Sequence, residues 1–302
     1  MAAPTDELQT LRDWLRYACT RFARAGVAFG QGTDNAWDEA AWLGLWSLGL
    51  APDRLEPFLD ARLLAAERDA LAALIEKRCT HKVPSAYLTG EAWLRGVRFA
   101  CDARALVPRS LIAEALDTVV PAFLGESEPR AVLDLCTGGG SLAILAALRF
   151  GGARVDAADL SPDALALAAQ NVDLHQLGER VSLRQGDLFE AVGSARYDLI
   201  LCNPPYVCGA SMRALPSEFR HEPRAALAGG EDGMDLIRRI VADARAHLNR
   251  GGLLVIEIGH EAAHFEAAFP SLEFTYLPVS AGENLLVLLT REQLPGPARR
   301  AR

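Results

Sequence analysis

Between residues 7 and 24 the apolar positions Leu8, Leu11, Leu15, Ala18 and Phe22 recur at intervals of three and four, which predicts an amphipathic helix. A second helix is expected from about Asn35: Asp34 or Asn35 can cap it, acidic residues fill its first turn, and Trp42 and Trp46 form an aromatic stripe. A third is expected over about 61–78, carried by Leu64, Leu71, Leu74 and Ile75. Three helices joined by short Pro/Gly connections predict a small N-terminal bundle, with the tryptophan stripe in its core. The following stretch, "AYLTGEAWLRGVRFACDARALVPRS", is broken by Gly90 and Gly96 and predicts a β-hairpin leading into a helix from Ser110.

From Arg130 the period changes. "RAVLDLC", "ARVDAAD", "RVSLRQ", "YDLILC", "GGLLVIEIG" and "NLLVLLT" are short apolar runs, most of them separated by helical stretches such as 161–176 and 232–248. That alternation predicts βαβ units, hence an α/β fold with a doubly wound, mostly parallel sheet covered on both faces. "SLEFTYLPV" and "ENLLVLLT" come last with no helix between them, so the far edge should be antiparallel. The expected organisation is a helical domain over 1–85, a linking hairpin over 86–109 and an α/β domain over 110–302, ending in a frayed basic tail, "LPGPARRAR".

Composition narrows the classes without choosing among them. The chain has 302 residues, half of them apolar and 23% charged, which is ordinary for a globular protein. Nothing approaches the roughly 18 uncharged apolar residues of a membrane span, and the charged residues among the first thirty leave no apolar core for a signal peptide. A cytoplasmic protein with no membrane partner is expected. The six cysteines include no C-x-x-C pair and several sit in apolar runs, which predicts reduced, structural thiols. A net charge of -8 argues against a broad nucleic-acid footprint, so no direct nucleic-acid partner is required, and a basic partner protein is easier to accommodate.

Candidate chemistry begins at "VLDLCTGGGSLAI". A strand ending in glycines and opening a helix places backbone N–H groups at the carboxyl edge of the sheet, where such folds bind ligands. Gly138, Gly140 and Ala143 fit the dinucleotide pattern G-x-G-x-x-G/A, with Asp159 nineteen residues after Gly140. The residue that discriminates is Asp134. A carboxylate beside the loop repels a pyrophosphate and attracts the ammonium or sulfonium of S-adenosylmethionine. Asp159 suits ribose hydroxyls in either case, and Asp187 of "RQGDLFEA" can accept from an adenine amino group with Leu188 packed on the ring.

"YDLILCNPPY" ends the fourth strand, which neighbours the first in a doubly wound sheet, so Asn203 should face the crevice of the glycine loop. Proline fixes φ and restricts the residue before it, making Asn203, Pro204 and Pro205 a stiff elbow. If the Asn203 side-chain oxygen and the Pro204 carbonyl each accept one N–H of a planar amide or aryl amine, the nitrogen is held with its lone pair aimed at a methyl donor. Tyr206 can stack on the planar group.

At these residues the chain resembles the class I S-adenosylmethionine-dependent methyltransferases of the N5-glutamine, or HemK-like, family. The resemblance aligns Asn203, Pro204, Pro205 and Tyr206 with the family's N-P-P-Y motif, Cys136, Thr137, Gly138, Gly139 and Gly140 with its glycine motif, and Asp159 with its ribose acid. It extends over the helical domain, the hairpin and "HEPRAALAGGEDG". It implies a Rossmann-like fold, S-adenosylmethionine as donor, S-adenosylhomocysteine as product, and methylation of a glutamine side-chain amide on a translation protein. "LVPRSLIAEAL", "FGQGTDNAWDEA" and "YLTGEAWLRGVRF" are closer to the branch that modifies a glutamine of large-subunit ribosomal protein three than to the release-factor branch with its "PRPDTE". Leu111, where that branch often has proline, and the "TGGGS" loop are departures.

Other classes leave weaker marks. An amino-methylating DNA or RNA enzyme shares the elbow but would need a basic target-recognition region, whereas Arg12, Arg16, Arg21 and Arg24 read as a solvated helix face. A ribosome-assembly binding module without activity would not need an intact elbow. A nicotinamide dehydrogenase would need a hydride-transfer acid or base. "HEAAH" at His260 to His264 fits H-E-x-x-H, with Glu283 as a conceivable third ligand, but it opens an ordinary surface helix and no metal is expected.

Overall fold

The computed structural model describes residues 7–125 and 128–296, so the last six residues of the expected basic tail lie outside the described residues. The chain forms two compact units. One ends at Ala92 and takes in Pro216–His221 as well; the other holds Trp93–Leu215 and the chain from Glu222 onward. The chain first divides inside the hairpin, later than the expected end of the helical domain at 85, and the return of 216–221 has no counterpart in the expected domain boundaries.

In the helical unit, α1 (Leu11–Ala25) starts where Thr10 caps it: the Thr10 hydroxyl accepts the Asp13 N–H while the Asp13 carboxylate accepts the Thr10 N–H. Asn35 caps α2 (Ala36–Ser47). A short α3 (Leu55–Phe58) follows, and α4 spans Ala65–His81 rather than starting at 61, because Leu64 is still extended and its N–H is taken by the Glu67 carboxylate at 2.7 Å. The unit closes with α5 (Ser85–Thr89). Its core is Leu11, Trp14, Leu15, Phe22, Leu43, Leu71 and Ile75. The central tryptophan is Trp14, fully buried, while Trp42 packs only on the margin of that core. Arg12 and Arg21 pair with Asp60 and Glu76 on the surface, as a solvated helix face requires.

Arg78 supplies the polar centre of this unit. Only 1% exposed, it meets Glu39 at 2.5 Å, the Ala28 carbonyl at 2.7 Å and Glu218 at 3.4 Å. Glu218 also accepts the Ala28 N–H at 3.0 Å, so the segment 216–221 is held to the bundle by charge as well as by packing.

The hairpin strands β1 (Glu91–Leu94), within which the unit boundary falls, and β2 (Val97–Ala100) precede α6 (Ile112–Thr118) and α7 (Val120–Leu124) of the second unit. The helix expected at Ser110 starts at Ile112 with Leu111 as its cap, and just before it the Ser110 hydroxyl and the Leu111 N–H both donate to Glu257. Then come β3 (Ala131–Leu135), α8 (Ser141–Arg149), β4 (Arg154–Asp159), α9 (Pro162–Leu174), β5 (Val181–Gln185), β6 (Tyr197–Cys202), α10 (Gly209–Ala214), α11 (Asp235–His247), β7 (Leu248–Glu257), α12 (Ala262–Ala268), β8 (Thr275–Val279) and β9 (Gly282–Thr290). The seven-stranded sheet has the order β5-β4-β3-β6-β7-β9-β8. Its first five strands are parallel, and β9 pairs antiparallel with both β7 and β8, which is the antiparallel edge expected from the last two runs. Apolar layers cover both faces: Leu142, Ile144, Val155 and Leu199 belong to one, Leu133, Ile200, Ile237 and Ile256 to the other. The order reverses between β3 and β6, where open α/β sheets bind ligands beyond the strand ends.

Replacing Arg78 by Met should destabilise the helical unit by about 3–5 kcal/mol, since it strands Glu39 and Glu218 as buried unpaired charges. Four of the five tryptophans lie in that unit, so urea unfolding followed by tryptophan fluorescence should show an earlier transition.

Candidate active site

Four loops leave the carboxyl ends of neighbouring parallel strands and meet around a cavity of about 340 Å³, within the usual range for small-molecule sites. After β3 the chain turns sharply: Cys136 and Gly138 both have positive φ, at 63° and 55°. Gly140 caps α8 so close to α9 that an added Cβ would sit 3.1 Å from the Ala168 Cβ. Cys136, Thr137, Gly138 and Gly139 line the cavity. Gly140 is not in the lining and serves the helix packing.

Asp134, the last residue but one of β3, is 1% exposed and also lines the cavity. Its Oδ2 accepts the Thr137 hydroxyl at 2.5 Å and the Ala143 N–H at 2.9 Å. Oδ1 is buried and has no partner among the described residues. Burial pushes this carboxyl up to about 7 against the pull of its two donors, with the nearby Asp159 charge adding to the rise. A buried carboxylate oxygen left open on a cavity calls for a cationic or N–H partner from a ligand.

Asp159, at the end of β4, accepts the Gly138 N–H and the Ser161 N–H, both at 2.8 Å. Each carboxylate oxygen keeps acceptor capacity for a hydroxyl. Leu160 next to it lines the cavity and is 68% exposed, an apolar surface offered to a flat ligand. Asp187 and Leu188 line the cavity after β5; Asp187 also pairs with Arg239 at 2.8 Å, and Leu188 is held at φ 51°.

The elbow follows β6. Asn203 and Pro205 line the cavity; Pro204 is buried beside it. Val207 is tied to Leu227 and Gly229 by backbone hydrogen bonds of 2.9 and 3.0 Å. The glycines of "LAGGEDG" are explained by this contact: a Cβ on Gly229 would stand 2.7 Å from the Tyr206 Cα, and one on Gly233 would meet the Tyr206 carbonyl. Tyr206 itself is half-buried, with its ring against Gly259 and its phenol donating to Glu257 at 3.0 Å. It is not part of the cavity lining, which differs from the stacking role expected for it.

Two walls of the cavity went unread in the sequence. The segment 104–110 forms one and Pro223, Ala225 and Ala226 contribute to the other. Glu222 joins them: it is 4% exposed, receives the Val107 N–H at 3.0 Å and is gripped by both terminal nitrogens of Arg109. The signal available was a proline-arginine pair in each segment, quoted only as a family marker. Leu160 carried a clearer one, an apolar residue directly after the strand-ending aspartate.

The H-E-x-x-H residues do not share a helix face, because α12 begins at Ala262, after His260 and Glu261. His264 bonds Glu261 at 2.6 Å, and the side chains that converge are Cys208, Glu261 and His264, without His260 or Glu283.

Comparison with known proteins agrees with this architecture. The family model "Methyltransferase small domain" matches residues 113–231. The solved hMettl16 catalytic domain shares the fold at a TM-score of 0.51 and 14% identity, covering 78% of this chain and 85% of that one. The ribosomal protein uL3 glutamine methyltransferase of Bordetella pertussis is 58% identical over 95% of this chain and 97% of its own length. The protein of the same name from Burkholderia pseudomallei is 51% identical over 99% of this chain and 100% of its own. With identity of this order along nearly the whole length of both partners, on a doubly wound sheet whose switch point carries the glycine loop and the proline elbow, the chain belongs to the ribosomal protein uL3 glutamine methyltransferase family.

Proposed function

We propose that this protein methylates the side-chain amide nitrogen of a glutamine in ribosomal protein uL3, with S-adenosylmethionine as donor. The observation that carries the reading is the opening of Asn203 and Asp134 onto one cavity, joined to relatives named for that activity.

The donor supplies an electrophilic methyl group. The unpartnered Oδ1 of Asp134 suits its ammonium, Asp159 its ribose hydroxyls, and Leu160 and Leu188 the faces of its adenine. Asp187 keeps one carboxylate oxygen for the adenine amino group while Arg239 holds the other. On the acceptor side, an amide nitrogen is a weak nucleophile because its lone pair is delocalised. The Asn203 side-chain oxygen and the Pro204 carbonyl each accept one N–H of the glutamine amide, which fixes the plane of the group and the direction of the lone pair. No strong base is required beforehand; the methylated nitrogen is acidic enough to release its proton to water. The helical unit, with Trp37 and Phe58 exposed at 39% and 37%, is the part of the chain assigned to contact the protein substrate.

Incubation with labelled donor and either unassembled uL3 or a release factor should place one methyl group on a uL3 glutamine; label on the release factor instead would move the enzyme to the other substrate. Asn203→Ala should lower kcat about a hundredfold or more, as loss of a positioning polar group does, with donor affinity largely kept in calorimetry. Asp134 takes up a proton as pH falls through about 7 in the donor-free protein, and the neutral form cannot pair with an ammonium. Donor affinity should therefore weaken below that pH, by up to about tenfold per unit, and Asp134→Asn should bind weakly with a flat pH profile. Trp37→Ser with Phe58→Ser should raise KM for uL3 and leave donor affinity unchanged; an unchanged KM would remove the helical unit from recognition.

A further inference from the structure

Glu257 ends β7 inside the apolar run "LLVIEIG" and is 4% exposed. Burying a carboxylate there is costly, and a leucine in its place would cost nothing in desolvation. What the carboxylate does instead is join three donors. Oε1 accepts the Tyr206 phenol at 3.0 Å; Oε2 accepts the Ser110 hydroxyl at 2.6 Å and the Leu111 N–H at 2.9 Å. All three groups donate to it here, the Leu111 N–H because it can do nothing else and the two hydroxyls because an ionised carboxylate offers only acceptors. Ser110 in turn accepts the Ile112 N–H at 3.3 Å, which locks its hydroxyl toward Glu257.

The donors come from segments that adjoin two different walls of the cavity. Tyr206 directly follows the elbow without lining the cavity, and Ser110 closes the strap 104–110. The ring of Tyr206 cannot shift toward the strand end, because Gly259 already lies close enough that a Cβ would stand 2.5 Å from the ring. The backbone at Tyr206 is held from the other side by Gly229 and Gly233. With ring and backbone both confined, the phenol–carboxylate bond fixes the remaining freedom, rotation of the elbow about its own axis.

We infer that Glu257 is a positioning residue: through the Tyr206 phenol it fastens the proline elbow to the strap, and so sets where the Asn203 oxygen and the Pro204 carbonyl stand without touching the acceptor. The inference rests on the methyltransferase reading for its kinetic readout and on geometry alone for its structural one.

The test compares Glu257→Leu, Tyr206→Phe and the double variant with the wild type, with Ser110→Ala as a milder change if Glu257→Leu fails to fold. Because Glu257 acts through Tyr206, the two single losses in kcat should each be about a hundredfold, the cost of an ångström-scale displacement. The double variant should be no worse than the poorer single, which is the sign of coupling. Affinity for S-adenosylhomocysteine should stay within about threefold, since neither residue lines the donor cavity. Independently of activity, hydrogen exchange should quicken in peptides spanning the elbow and the strap and stay unchanged in the helical unit. Multiplicative losses in the double variant, an equal fall in inhibitor affinity, or unaltered exchange at the elbow would each overturn the inference. A wild type that methylates neither protein would instead count against the function, and the exchange measurement would still decide the role of Glu257.

Discussion

The parallel pairing of β3 with β6 is the constraint from which the site follows. Their register sets Leu135 beside Cys202, so the next residues on each strand, Cys136 and Asn203, leave the sheet side by side. Backbone hydrogen bonds fix that separation before any side chain is chosen. The glycine loop can then turn back toward α8 while the elbow stays extended, and the space between them is the cavity. Asp159 and Asp187 come from β4 and β5 on the same side of β3, so three acidic residues are delivered by strand order alone.

Buried carboxylates do the fastening around this frame. Asp134 stiffens the glycine loop through Thr137 and the start of α8, Glu222 ties Arg109 and Val107 to the wall at 223–226, and Glu257 ties the elbow to Ser110. Each accepts backbone or hydroxyl donors that would otherwise be unpaired in the interior. Asp134 differs from the other two in keeping one oxygen open, while burial raises the proton affinity of Asp134 and Glu257 alike.

Much of this was legible in the chain. Alternating apolar runs and helical stretches specify a parallel sheet, and the stiff N-P-P corner after the fourth run could be placed beside the glycine loop because strand order sets that run next to the first. The local signals failed where contacts span long separations. Glu257 was passed over within the apolar run "GGLLVIEIG", since nothing near it in sequence names Tyr206 or Ser110 as partners. Trp42 and Trp46 were read as core from spacing alone, whereas Trp14 won the centre of the helical unit because α1 is packed there on both α2 and α4. The start of α6 was placed two residues early, and no local signal showed that Ser110 and Leu111 would instead donate to Glu257 from far along the chain.

The return of Pro216–His221 to the helical unit has an implication for how the chain is made. The guanidinium of Arg78 waits for a carboxylate supplied far downstream, and the Ala28 amide that bonds the same carboxylate lies 190 residues before it. During synthesis the N-terminal helices emerge first but lack that counter-ion until most of the sheet has been translated. The bundle is thus completed late although it is encoded early, and a protein cut after residue 92 would keep the Arg78–Glu39 pair but leave the Ala28 N–H without the carboxylate that receives it.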